Sequence, residues 1–271
     1  MFYRVKNQTP PSLRIFSAAQ LTGPDRESFA QRLLSRDIKK LPPNLPKLCL
    51  LLAAQAKLLS YFWIERRSDA LRLYGIEAEL RGLREKLEFY KFTEEVAWEV
   101  GSDLTASLHE SESVGWNPLE LRFKESGGSP YLSEAEWLEM RVQRMLPLRD
   151  WDFDSSHNVF ELGLTDACDE NKGCYIGQEV VERVRSRAGR PSRHLAQTHF
   201  ESEIQELEEL SVETEKVGSL TKSVVKTTTG YLALSWMDRK FCQVGIKVRA
   251  KLSNKIGVIT KILEGPKRPK T

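Results

Sequence analysis

Apolar and polar positions divide the chain into strand-like runs and helical stripes. Residues 48–54 form one unbroken apolar run of buried-strand length, and residues 58–66 and 70–75 continue the strand character across a tight turn at 67–69. Upstream, a helix is predicted to begin at Thr22, Gly23 and Pro24. Pro24 suits the first helical position, Asp25 and Glu27 suit a helix N-terminus, and Phe29, Leu33 and Leu34 supply an apolar face. Residues 39–46, with three prolines, end it. Residues 77–92 predict an amphipathic helix, with Leu80, Leu83 and Leu87 on one side and the pairs Glu77/Arg81, Arg81/Glu85 and Arg84/Glu88 on the other. Alternation at Val96, Trp98 and Val100, at Leu104, Ala106 and Leu108, and at Leu119, Leu121 and Phe123 predicts three more strands. Gly127, Gly128, Ser129 and Pro130 read as a loop, and Ser133 with Glu136 as a capping box opening a helix that runs to Pro147. Strands and helices mix without a regular βαβ repeat, so the class is α+β.

The second half reads differently. Residues 150–158 are polar and loop-like. Short strands around Val217 and over 228–236, 244–251 and 257–263 are punctuated by Gly218, Gly230, Gly245 and Gly257, which predicts a small antiparallel β-barrel. Charge is segregated here. Residues 201–215 carry seven acids and no base, whereas residues 216–271 carry thirteen Lys and Arg against two acids. Such asymmetry hints at an anionic partner. The plainer reading is a β domain with lysines guarding strand edges, and it is preferred for most of them. A direct nucleic-acid role is not expected, because Tyr231 and Trp236 are not part of a run of aromatics interleaved with bases.

Composition narrows the class. The chain has 271 residues, 40% hydrophobic and 29% charged, with a net charge of +3. That excludes wholesale disorder and leaves room for two or three lobes. Four cysteines do not make a disulfide scaffold at this length. The chain shows no apolar run of the ~18 residues a membrane span needs and no signal-peptide pattern, so a cytoplasmic, reduced-thiol protein is expected.

One segment carries chemistry. Residues 172–179 read KGCYIGQE and feed a helical pattern, VVERVRSR. Gly173 and Gly177 permit sharp turns, and Cys174 lies just ahead of a helix N-terminus, where the positive end of the helix favours a thiolate. Lys172 and Arg183 are expected to push the same way. Such a thiol can act as nucleophile, redox site or soft-metal ligand. Cys49 (in LCLLL) and Cys242 (in FCQVGI) sit in apolar strand patterns and read as packing residues, while Cys168 stays ambiguous. Without a CxxC pair, a metal would be held by Cys174 only as a ligand shared with a partner or second subunit. Arg183, Arg185, Arg187, Arg190 and Arg193 form either a solvated basic face or a carboxylate-binding set. Gln178 and Glu179 serve a ligand or cap the helix. Tyr175 stacks on a ring or packs. Phosphate-loop, HExxH and GxSxG motifs are absent, and His109, His157, His194 and His199 show no ligand spacing.

KGCYIGQE, followed by Gly189 and Arg193, His194 and Leu195, closely resembles the signature of the YgfZ family, folate-binding relatives of the glycine-cleavage T-protein linked to iron–sulfur cluster assembly and repair. Weaker resemblance covers most of the chain. TGPDRESFAQRLLSRDI resembles the family's N-terminal helix, with Ser35, Arg36 and Asp37 in place of Thr-Asn-Asp. AAQAKLLSYFWI resembles a strand segment whose usual glycine is Ala56. Residues 141–147 stand where an R-I-x-x-G-x-P segment is expected, with Met145 in place of Gly. FELGL (160–164) resembles the stretch leading into the thiol loop.

The resemblance implies a three-lobed cradle around a tetrahydrofolate. Residues 1–193 would form two interleaved α+β lobes (1–45 with 125–193, and 46–124), and residues 194–271 the barrel lobe. It implies Cys174 as the functional thiol, and Lys172, Tyr175, Gln178, Glu179, Arg183, Arg193 and Glu161 as folate-binding residues. The implied partners are folate and iron–sulfur assembly or client proteins, with an indirect link to tRNA-modifying radical enzymes. The thiol would meet a cluster, a cluster-carrying partner or a folate-derived one-carbon unit. The rival is an aminomethyltransferase like the T-protein. The resemblance aligns the T-protein's carboxylate pair with Ser60 and Tyr61, which cannot replace a proton-handling carboxylate in kind.

Overall fold

The structure, a computed structural model, describes residues 3–4, 17–100, 104–108, 121–125, 134–186 and 191–263. The chain forms two compact units, one of Met1–Ser111, Leu119–Ser133 and Asp166–Arg187, the other of Glu112–Pro118, Glu134–Thr165 and Ala188–Thr271. The fold is α+β, with antiparallel sheets and one closed barrel.

In the first unit, strands β1 (Tyr3–Arg4), β2 (Ser17–Thr22), β3 (Lys47–Leu52), β4 (Leu58–Arg66), β5 (Leu71–Gly75), β6 (Ala97–Val100), β7 (Leu104–Leu108) and β8 (Leu121–Glu125) form two sheets. Five strands follow the order β3-β4-β5-β2-β6, and three follow β1-β7-β8. Helices α1 (Arg26–Leu33) and α2 (Glu77–Phe89) cover the five-stranded sheet with Phe29, Leu33, Leu80, Leu83 and Leu87, packed on Cys49, Leu51, Phe62, Ile64 and Leu73. The alternate strand positions share one core, as a period of two requires.

Two sequence expectations change here. The first helix starts at Arg26, not Pro24, because Thr22 is still extended and paired with Ala97 across β2 and β6. Strand β2 itself was hidden in SAAQLT, whose small and polar residues carry little strand signal.

The second unit holds α3 (Glu134–Gln143) and strands β9 (Arg193–Phe200), β10 (Glu209–Val212), β11 (Glu215–Thr227), β12 (Gly230–Asp238), β13 (Lys247–Ala250) and β14 (Ile256–Ile262). The six strands close in the order β10-β11-β12-β9-β14-β13. Phe200, Leu210, Val217, Leu220, Met237, Val248 and Ile259 fill the interior. Ser133 of the expected capping box, the loop at 127–130 and Leu119 lie outside the described residues.

Closure overturns the edge-guarding role of the lysines, since a closed barrel has no edge to guard. Several pair with the acidic run instead. Lys216 and Lys251 reach Glu209 at 2.7 and 3.1 Å, and Lys240 reaches Glu215 at 3.3 Å. The acidic run supplies β10 and the start of β11. Glu208 within it is fully buried, and its Oε2 accepts the N–H groups of Leu252 and Ser253 at 3.0 and 2.9 Å.

Helix α3 stops at Gln143, short of Pro147, in a Schellman-type cap. The N–H of Leu146 donates to Arg141 O at 2.9 Å and that of Met145 to Val142 O at 3.1 Å, with Met145 at φ +54°. Among the described residues no helix is long and apolar enough to cross a membrane.

Candidate functional site

Cys174 sits in a loop that the first unit holds from several directions. Helix α4 (Gln178–Ser186) follows it. Gly177 adopts φ +84°, and a Cβ there would lie 2.7 Å from Ala53 O, so only glycine lets the loop close onto the turn at 53–57. That turn carries two consecutive left-handed residues, Gln55 at φ +63° and Ala56 at φ +55°. Position 56 thus holds an alanine in the conformation glycine favours.

Lys172 does not face the thiol as expected. It is 6% exposed, and its Nζ donates to Gln31 O at 2.7 Å and Leu34 O at 2.6 Å, at the C-terminal end of α1. Burial lowers its pKa from the ordinary lysine value, while nearby Cys49 and Asp37 oppose the shift. Gln31 Nε2 returns a bond to Lys172 O at 2.8 Å. Asp169 completes the clamp: it accepts from Arg36 Nη1 at 2.6 Å and from Asp37 N at 2.8 Å, and Ser35 Oγ donates to Ala167 O at 2.6 Å. Arg185 Nη2 donates to Cys168 O at 2.5 Å. These bonds tie the loop to α1 on one side and α4 on the other. Lys172 therefore serves as a strut between the loop and α1.

Tyr175 is 6% exposed, with Lys172 Nζ 4.7 Å above its ring, so it packs inward and offers no open face to a pterin. Burial pushes its phenol pKa up. Gln178 Oε1 accepts Tyr175 N at 3.3 Å and Gln178 N donates to Tyr175 O at 3.2 Å, a reciprocal cap of α4. Glu179 and Arg183 are exposed.

The four thiols separate clearly. Cys174 is exposed; Cys242 is half-buried against the barrel core; Cys49 and Cys168 are buried. Burial pushes the Cys168 thiol up to about 12 and raises that of Cys49 as well. Among the described residues no group of three His, Cys, Asp or Glu is placed to hold a metal ion.

Glu161 and Arg193 belong to the second unit and hold each other. Arg193 Nε donates to Glu161 Oε1 at 2.7 Å, and Asn158 N donates to Glu161 Oε2 at 3.0 Å. The Arg193 guanidinium lies 5.2 Å over the Trp236 ring.

Sequence reasoning missed the polar knot beside them. Asp152, 4% exposed, receives Arg141 Nη1, Thr221 Oγ1 at 2.6 Å and Leu148 N at 2.9 Å. Arg141, with no exposure, also donates to Leu146 O at 3.0 Å and to Ser223 Oγ at 2.5 Å. His157 is buried too, its ring 4.6 Å from that of Trp236. Asp152 and His157 lie in a stretch whose polarity reads as loop, and only partners distant in sequence reveal their burial.

The fold is shared with the glycine cleavage system aminomethyltransferase T from Bartonella henselae. That solved structure matches with a TM-score of 0.75 at 14% identity, over 96% of this chain and 84% of that one. A chloroplastic protein of Arabidopsis thaliana named "putative transferase" is 26% identical over 119 residues, 44% of this chain and 27% of that protein. The match thus spans about a quarter of that relative's length. No family model matches the chain.

Proposed function

We propose that this protein is a tetrahydrofolate-binding accessory factor in iron–sulfur cluster assembly or repair, with Cys174 as its working group. It would support tRNA-modifying radical enzymes indirectly. The observation that carries the reading is an exposed thiol in a clamped, glycine-bounded turn on a T-protein-like fold. A thiolate is a soft ligand and a nucleophile, suited to contact a cluster or a cluster-carrying partner in transit.

An exposed guanidinium suits the acidic tail of a folate better than its ring. Arg183 is exposed on α4, and a guanidinium fork matches a carboxylate. Glu179 is exposed beside the thiol loop. A bound folate would supply a one-carbon unit or a structural ligand. The chain's own part is to hold the tail through Arg183 and to present Cys174 at a fixed position.

The rival reading, one-carbon transfer as an aminomethyltransferase, draws on the same fold. It needs an accessible carboxylate where Ser60 and Tyr61 stand. The nearest, Glu79 on α2, accepts Ser60 Oγ at 3.2 Å and Tyr61 N at 3.4 Å, but is 4% exposed. A carboxylate that substrate cannot reach cannot take its proton.

Two measurements test the proposal. Titration with tetrahydrofolate, followed by Trp fluorescence, is expected to saturate; no saturation removes the cofactor. A Cys174→Ala variant is expected to fail to restore iron–sulfur enzyme activity in a deletion strain while keeping the wild-type melting curve. Full restoration removes the thiol's role. Glycine-cleavage T activity of the purified protein would favour the rival.

A further inference from the structure

The thiol loop is pinned on both sides of Cys174. Upstream, Gln31 of α1 grips the peptide bond that leads into the thiol. Its Nε2 donates to Lys172 O at 2.8 Å and to Asp37 Oδ1 at 3.2 Å, and its Oε1 accepts Ile38 N at 2.7 Å. Both amide hydrogens and the oxygen are engaged, which fixes the amide in one orientation. Asp37 is held in turn, since its N–H donates to Asp169 Oδ2 at 2.8 Å. These bonds close a ring from Asp169 through the end of α1 back to Lys172. Downstream, Gln178 and Tyr175 exchange the pair of bonds that caps α4. Gly173 and Cys174 are the exposed residues between the two pins. Gly173 has φ +89°, and among the described residues, its chain neighbours apart, no atom lies within 4 Å of where its Cβ would sit. Packing therefore does not hold this turn, and glycine is the residue with the most backbone freedom to lose.

We infer that Gln31 is a positioning residue for the Cys174 thiol. The orientation of the Lys172–Gly173 peptide sets the direction in which the chain reaches Cys174, and the Gln31 amide fixes that peptide by its carbonyl. The Lys172 ammonium plays a different part: it bonds to Gln31 O and Leu34 O and anchors the lysine side chain, not the peptide ahead of Gly173. Gln31 touches no ligand or partner in this role and acts only through where the thiol is presented. The inference rests on the reading of Cys174 as the working group.

The test joins backbone 15N relaxation of the full-length protein to restoration of iron–sulfur enzyme activity in the deletion strain. In the wild type, the Gly173 and Cys174 amides are expected to show order parameters near the ~0.85 of rigid backbone. Values below about 0.6 overturn the inference, and this measurement needs no variant to fold. Gln31→Met removes the donor to Lys172 O together with the acceptor for Ile38 N, whereas Gln31→Glu removes the donor and keeps an acceptor oxygen. Both are expected to drop the Gly173 and Cys174 order parameters below about 0.6. Both are also expected to lower the restored activity by at least about fivefold, the factor one hydrogen bond is worth. A lowered melting curve with unchanged order parameters marks a structural role alone and overturns the inference. Disordered Gly173 and Cys174 amides with full activity overturn it as well. The reading beneath it fails separately. Full activity of Cys174→Ala sinks that reading, and the relaxation data alone then decide whether Gln31 fixes the loop.

Discussion

The two compact units meet the same two problems with different materials. Each buries a cation, and each puts a residue with a side chain in the left-handed region. The first unit uses the cheaper parts: Lys172 is answered by two backbone carbonyls, and the left-handed position is filled by Ala56, with one methyl. The second uses the dearer ones. Arg141 is answered by a carboxylate, a carbonyl and a hydroxyl, and the left-handed position is filled by Met145, fully buried. The difference teaches where each unit places its specificity. Around the thiol loop, backbone dipoles fix a surface segment. Beside the barrel, side chains fix a core.

The comparison breaks first at Arg141. Replacing it by Met leaves the buried Asp152 without its cationic partner, and removing one partner of such a pair typically costs about 3–5 kcal/mol. Chemical denaturation of Arg141→Met should show that loss. Adding Asp152→Asn should recover a large part, because the stranded charge leaves with its partner. A loss under about 1 kcal/mol, against that expectation, would mean the knot is not a staple.

Met145 comes next. Met145→Gly relieves a left-handed residue, worth about 1–2 kcal/mol, but empties a site where large-to-small changes cost about 2–5 kcal/mol. A net loss of about 2 kcal/mol is expected by the same measurement. Stabilisation would show that the Schellman-type cap, not the side chain, dominates there.

Lys172→Met should cost about 1–3 kcal/mol, since the carbonyls of Gln31 and Leu34 lose their donor. It also carries a pH signature. The folded lysine has a lowered pKa, and the unfolded one keeps its ordinary value of 10.5. Between the two, the unfolded chain binds the extra proton, so wild-type stability gains with rising pH in that window. Lys172→Met lacks this slope. The wild-type advantage should therefore widen as pH rises towards 10.5; a constant gap would mean that burial does not perturb the lysine.

Much of this was legible in sequence because local pattern and tertiary role agreed. Residues 58–66 form β4 at the expected bounds, and Leu80, Leu83 and Leu87 bury the face their spacing marks. The barrel was legible from its glycine-punctuated short strands. Roles set by distant partners were not. Lys172 was read as an electrostatic neighbour of Cys174 two residues away, but its partners lie on α1, over a hundred residues earlier. Asp152 was read as loop because polarity is a surface signal until Arg141, Thr221 and Leu148 are placed around it. The C-terminal lysines were read as edge guards because a count of charges does not say which of them pair with the acidic run.

Ala56 sharpens the comparison at its small end. Its φ is +55°, directly after Gln55 at +63°, a conformation that favours glycine. Ala56→Gly relieves about 1–2 kcal/mol of left-handed strain. Against that, glycine adds chain entropy to the unfolded state, about 0.5–1 kcal/mol, and one buried methyl is lost, about 0.8 kcal/mol. The terms nearly cancel, so the melting curve should stay within about 0.5 kcal/mol of wild type. The contrast with Met145→Gly is the point of the experiment. The two positions share a backbone conformation and differ chiefly in buried side-chain volume. Equal effects at both would mean that the left-handed turn sets the cost. A loss confined to Met145→Gly means that the second unit recruited its non-glycine residue into the core, while the first merely tolerates one beside Gly177 and the thiol loop.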